Sequence, residues 1–166
     1  FAYSAGPYPL SYHGLGDVAV LVFFGLVPVN LTFYLQAGYF APLAILASVT
    51  IGLMGVNVLL VNNYRDVDDD REAHKRTTVV IFGRKVASAA YLINGYVGIS
   101  LLAPLWFAAP LWVLAVPALY LVLHTVTWNR LTHSDGAALN PLLGATARNM
   151  LIFAVLLTIC FGIIAA

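Results

Sequence analysis

The chain has 166 residues, 61% of them hydrophobic and only 9% charged, with a formal net charge of +1. A soluble domain carries roughly a quarter charged residues, so this composition excludes a protein wetted on all sides, and the useful count is membrane spans of about 20 apolar residues each. The single cysteine, Cys160, excludes an intrachain disulfide and reads as packing within an apolar run.

In chain order, Phe1 to Gly16 is a turn-rich connector punctuated by Gly6, Pro7, Pro9, Gly14 and Gly16. The chain opens on Phe1, its first methionine is Met54, and Phe1–Ala2–Tyr3–Ser4 has none of the marks of a secretory leader. It therefore reads as a piece of a longer protein, with Phe1 to Tyr3 as the tail of a preceding span. Asp17 stands where a helix N-cap or first-turn acid belongs.

Nothing ionised lies between Asp17 and Arg65, a length that suits two spans, roughly Val18–Gln36 and Pro42–Asn62, with Pro28 tolerable inside the first. The run from Val86 to Asn129 divides in the same way at Pro104 and Pro110, giving Ala87–Ala103 and Leu111–Trp128. A last span follows Pro141. The fold class is all-α, a multi-pass transmembrane helical bundle of five spans.

Threading five spans puts Arg65, Arg71, Lys75, Arg76, Arg84, Lys85 and Arg130 in alternate connections, while the other two connections carry no charge. By the positive-inside rule the charged side is cytoplasmic. Tyr34, Tyr39, Phe40, Trp106, Phe107, Trp112 and Trp128 fall near span ends, as interfacial aromatics do. Asn57 and Asn94 lie inside spans, where polar groups more often join helices than perform chemistry. Asn57 has the better claim to chemistry, sharing a helix with Asn62. Arg148 is close enough to the cytoplasmic side to snorkel, and His124, Arg130, His133 and Asp135 group around one connection as interfacial residues.

The stretch from Asn62 to Arg84, NNYRDVDDDREAHKRTTVVIFGR, gathers Asp66, Asp68, Asp69, Asp70 and Glu72 with Arg65, Arg71, Lys75, Arg76 and Arg84. Asn62, Asp66 and Asp70 are spaced by four, so a helix stacks them in one column, rising about 6 Å per step. Hard oxygen donors with one or two carboxylates suit Mg2+ completed by phosphate oxygens, and no His/Cys cluster favours zinc. Asp68, Asp69 and Glu72 point elsewhere and are solvated. Lys75 and Arg76 follow, with Thr77 and Thr78 next. Carboxylates interleaved with cations suggest a metal-bridged anion such as diphosphate. Topology alone also produces charged connectors, and a divalent-cation channel or a non-catalytic subunit are rival readings. A channel is disfavoured by the uncharged far connections. The CDP-alcohol phosphotransferases are disfavoured because their signature needs a DG and an AR ahead of the acids.

NxxxDxxxD at a helix end, followed by Lys75-Arg76-Thr77 and Phe82-Gly83-Arg84, resembles the second aspartate-rich motif of the UbiA superfamily of intramembrane prenyltransferases. The opening Gly6–Asp17 stretch, GPYPLSYHGLGD, with Val22-Phe23-Phe24-Gly25, is similar to the 1,4-dihydroxy-2-naphthoate branch. The 4-hydroxybenzoate branch typically carries a Lys-Arg pair where this chain has Ser11-Tyr12-His13. The resemblance makes residues 1–166 the C-terminal part of one domain, the fifth to ninth of nine helices, with the first helices and first acidic motif lying upstream. It implies Mg2+-dependent transfer of a polyprenyl group from polyprenyl diphosphate to 1,4-dihydroxy-2-naphthoate, with loss of CO2 and diphosphate, yielding demethylmenaquinone for menaquinone biosynthesis. The alternative acceptor is another aromatic such as 4-hydroxybenzoate. Asp66 and Asp70, supported by Asn62, are expected to bind the metal, and Lys75, Arg76 and Arg65 the diphosphate. Tyr12, His13 and Asp17 are candidates for the aromatic substrate. The site is expected on the cytoplasmic face of the cell membrane, with the lipid bilayer and the family's first four helices as partners and no nucleic acid.

Overall fold

The computed structural model describes residues 14–165, which fold into helices with no strand among them. A bilayer offers the backbone no water, so a chain this apolar must satisfy its amides within helices. The first rod runs through α1 (Gly16–Val20), a π-helical turn (Leu21–Leu26) and α2 (Val27–Ala37). At the π turn Gly25 meets Gly52 of the next helix, and a Cβ at Gly25 would lie 2.5 Å from the Gly52 Cα. Only glycine lets the two backbones approach this closely. Gly38 ends α2 with φ of 76°, its amide returning to the Tyr34 carbonyl.

Helix α3 (Pro42–Arg65) opens on proline and runs to the charged stretch. The short α4 (Val67–Glu72) follows, then α5 (Thr78–Leu101), broken at Gly83, where φ is 80° and ψ 166°. A six-residue α6 (Ala103–Ala108) occupies the expected Pro104–Pro110 connection. A 3-10 turn (Leu111–Leu114) leads into α7 (Ala115–Thr132), and another (Gly136–Leu139) into α8 (Asn140–Ala165).

Helix α3 is the centre of the bundle. It packs on the N-terminal rod, on α5 and on α8, while α7 closes the ring between α5 and α8. Two apolar clusters fill that ring. One lies toward the charged end around Val61, Val67, Val79 and Leu139, the other beyond it around Met54, Leu102, Val113 and Phe153.

The five expected spans become four among the described residues that are long and apolar enough to cross a membrane: Gly16–Ala37, Pro42–Arg65, Leu111–Thr132 and Gly136–Ile163. Helix α5 matches them in length but carries Arg84, Lys85, Ser88, Tyr91, Asn94, Tyr96 and Ser100. Its polar groups are used against neighbours. Asn94 donates to Asn57 Oδ1 at 3.1 Å, Asn57 donates to the Tyr91 carbonyl at 3.1 Å, and the Tyr91 hydroxyl bonds Thr146 at 3.0 Å. Asn57 and Asn94 thus join α3 to α5, and Asn57 has no part in the acidic column.

His124 is a second correction. It is 1% exposed, not interfacial, and its ring stacks between Tyr91 and Tyr120 at centroid distances of 4.6 and 5.4 Å. Gly95 makes the room, since a Cβ there would fall 2.2 Å from His124 Nε2. Arg148 is exposed on the flank of α8, and Cys160 is buried in the second apolar cluster.

Candidate functional site

The acidic column does not lie on one unbroken helix. Helix α3 ends at Arg65, and Asp66 turns the backbone (φ −96°, ψ 18°) before α4 begins. The hydrogen-bond ladder nevertheless keeps its period through the bend: the Asp66 amide donates to the Asn62 carbonyl at 3.0 Å and the Asp70 amide to the Asp66 carbonyl at 2.8 Å. Asn62 and Asp66 meet through the Arg65 guanidinium, whereas Asp70 is buried against Lys75. Asp68 and Asp69 are exposed, the former paired at 2.8 Å with Arg71, and Glu72 is exposed too, as the spacing predicts.

Each carboxylate of the column is held by a base. Arg65 grips Asp66 with a two-pronged contact, Nε to Oδ1 at 2.6 Å and Nη2 to Oδ2 at 2.8 Å, and the same Nη2 donates to Asn62 Oδ1 at 2.9 Å. Two parallel charge-assisted bonds fix orientation as well as distance. The Arg65 hydrogen bonds hold the Asp66 carboxyl below the usual carboxylate range against the opposing effect of burial, and the nearby positive charge of Lys75 adds to them. Asp66 is therefore ionised at neutral pH, and the stability its pairing contributes is full above the unfolded carboxylate range and lost as pH falls from there through the lowered value.

Asp70 is 4% exposed, and Lys75 Nζ donates to its Oδ1 at 2.7 Å. The backbone delivers Lys75 to that place. Helix α4 ends in a Schellman turn, with the Lys75 amide on the Asp70 carbonyl at 2.9 Å and the His74 amide on the Arg71 carbonyl at 3.1 Å. Such a turn needs a left-handed residue, and His74 takes that role with φ of 56°. No sequence signal marked this turn, because glycine is its usual occupant.

Thr77 then caps α5, its Oγ1 accepting from the Val80 amide at 3.3 Å. Thr78 donates through Oγ1 to Asp17 Oδ2, tying the start of the N-terminal rod to the start of α5. Asp17 lies in the first turn of α1, as the first-turn reading expects, but it is not the N-cap, and its carboxylate is spent on the inter-helix bond instead. Arg76 is exposed, with Gly14 against its carbonyl. Tyr12 and His13 lie outside the described residues. The Arg84 guanidinium covers the Tyr64 ring at 5.0 Å and bonds Asp135 at 2.6 Å. Sequence reasoning missed this brace, since no periodicity links residues 64, 84 and 135.

Beside Asn62 opens an apolar cavity of about 500 Å³ between the rod, α3 and α8, lined by Phe24, Ile51, Val58, Leu59 and Met150 among others. Asn62 is the polar member of its wall.

The model of the UbiA prenyltransferase family matches residues 1–143. The chain belongs to that family. It is 36% identical over 156 residues to 1,4-dihydroxy-2-naphthoate octaprenyltransferase of Escherichia coli, covering 90% of this chain and 49% of that protein. The protein of the same name from Mycobacterium leprae is 33% identical over 158 residues, 92% of this chain and 52% of its own length. That of Haemophilus influenzae is 44% identical over 81 residues, 49% of this chain and 26% of its own. The chain thus spans about half the length of the first two of these relatives. No solved structure matches it.

The donors present in this UbiA chain fit a hard cation by type: an amide oxygen and two carboxylates, with no nitrogen or sulfur ligand among them. The described residues contain no group of three His, Cys, Asp or Glu side chains able to hold a metal. A magnesium ion here would need its octahedron completed by water and by oxygens from a phosphate-bearing partner.

Proposed function

We propose that this chain forms part of a membrane prenyltransferase that joins a polyprenyl group, drawn from its diphosphate, to 1,4-dihydroxy-2-naphthoate. The observation that carries this reading is the position of Asn62, bonded to the charged cluster on one side and facing the apolar cavity on the other. A polyprenyl diphosphate has that same division, a charged head on a greasy tail.

In this reading Asp66 and Asp70, with Asn62 in support, hold Mg2+, whose chemistry is to neutralise charge on the diphosphate. Lys75, Arg76 and Arg65 donate to the phosphate oxygens and stabilise the leaving group as the allylic C–O bond breaks. The ring carbon bearing the carboxylate forms the new C–C bond, and the electron pair of the departing CO2 restores the ring. Products are the quinol of demethylmenaquinone, CO2 and diphosphate. The apolar cavity keeps water from the allylic cation. Asp17, bonded to Thr78 at the head of α5, lies on the diphosphate side and is the described candidate for the aromatic acceptor. The naphthoate acceptor is supported over 4-hydroxybenzoate by Ser11-Tyr12-His13 and by the names of the relatives. The site faces the cytoplasm by the charge asymmetry.

The test is product formation in membranes carrying the complete protein, with polyprenyl diphosphate and the naphthoate. Asp66→Asn and Asp70→Asn each lower the rate by at least about 100-fold, the scale of losing a group that stabilises developing charge. Undiminished prenylation by both variants overturns the reading. For the acceptor, His13→Ala raises KM for the naphthoate and leaves that for the prenyl donor unchanged; unchanged values for both remove His13 from the site.

A further inference from the structure

Arg65 stands in the place the metal needs. Its Nη2 lies between Asn62 Oδ1 and Asp66 Oδ2, at 2.9 and 2.8 Å, while Nε takes Asp66 Oδ1 at 2.6 Å. All three oxygens are donors of the proposed cation site. Magnesium binds such oxygens at about 2.0–2.1 Å, so an ion drawing on both Asn62 and Asp66 must occupy the space of that nitrogen. Arg65 and Asp66 are both half-exposed at the rim of the charged end, so the guanidinium is within reach of an incoming anion. An arginine deprived of its carboxylate here needs another planar, multidentate anion, and a phosphate oxygen pair is the chemistry that supplies one.

We propose that Arg65 is an exchangeable counter-ion that couples the two halves of the substrate complex: it closes the Asn62–Asp66 site to divalent metal alone, and opens it when a diphosphate takes over its guanidinium. Metal and diphosphate then bind together, each raising the affinity for the other. Arg65 is a specificity-determining residue in this account, because a metal without diphosphate must compete with the guanidinium and binds more weakly. The inference rests on the site reading above, and concerns only the order in which that site fills.

The experiment measures binding, not turnover. Mg2+ is titrated into the complete protein in detergent, without diphosphate, and the midpoint is read from the rise in Tm. Arg65→Gln, which removes the charge and the fork, lowers the Mg2+ midpoint by about tenfold or more, as expected when two charge-assisted bonds no longer compete. Arg65→Lys, which keeps the charge but cannot make the fork, falls between. Arg71→Gln removes an equal charge from the exposed Asp68 pair and leaves the midpoint where it was. A midpoint in Arg65→Gln equal to or above the wild-type value overturns the proposal, as does an equal fall in Arg71→Gln, which would make the effect one of net charge. Asp66→Asn with Mg2+ and farnesyl diphosphate together separates the two claims. If that variant binds the pair normally, the site reading itself is wrong. If it loses them while Arg65→Gln shows no gain for Mg2+ alone, only the coupling fails.

Discussion

The chain holds two polar clusters in an apolar frame, and they are built on opposite terms. Within the bundle, Asn57, Asn94, Tyr91, Thr146 and His124 are polar side chains without an ion-pair partner among the described residues, and their bonds link α3, α5, α7 and α8. At the charged end, Asn62, Asp66 and Asp70 meet Arg65 and Lys75 through long side chains that can move to another anion. Neutral groups satisfied by neighbouring helices hold a bundle together, whereas paired charges at a water boundary can change partners at modest cost. Substitution should therefore damage stability in the first cluster and chemistry in the second.

The largest effect is expected on chemistry. Asp66→Asn and Asp70→Asn should abolish nearly all prenyl transfer while the helical circular dichroism signal stays intact. A variant that loses both would place these acids with the structural cluster. Next comes Gly95→Ala, whose Cβ meets the His124 ring at 2.2 Å. Because that ring is stacked on both faces, overpacking should cost about 1–3 kcal/mol of stability, seen as a lower unfolding midpoint in detergent; an unshifted midpoint would mean the stack is loose. Asn94→Leu removes one inter-helix bond and should cost about 0.5–1.5 kcal/mol, with KM for both substrates unchanged. His74→Gly is the mildest. It relieves a left-handed non-glycine residue and should stabilise by about 0.5 kcal/mol, and a fall in Tm would show that the His74 side chain contributes something the turn needs.

The sequence made the helical class legible because charge is excluded from its long apolar runs. The spacing by four is kept only by the backbone: the hydrogen-bond ladder holds its period through the bend at Asp66 where the helix axis does not. Helix α5 was harder to read. Its polar residues suppress its apolarity, and only the packing of α3 and α7 around it explains why they are tolerated. His124 was misplaced because a histidine near a charged connector has the same local pattern whether it faces water or stacks on tyrosines. The Arg65 fork, the Lys75 return and the Asp17–Thr78 bond were beyond the sequence for a common reason. Each depends on side-chain direction at a helix end, and Asp17 and Thr78 are 61 residues apart.

The most direct measurement is equilibrium binding of radiolabelled farnesyl diphosphate to the complete protein, with Mg2+ and with a chelator, in wild type and in Asp70→Asn. Binding that requires the metal and disappears in the variant is the predicted result. Binding that is the same in chelator, or indifferent to the loss of the Asp70 charge, would contradict a site assembled from this column of oxygens.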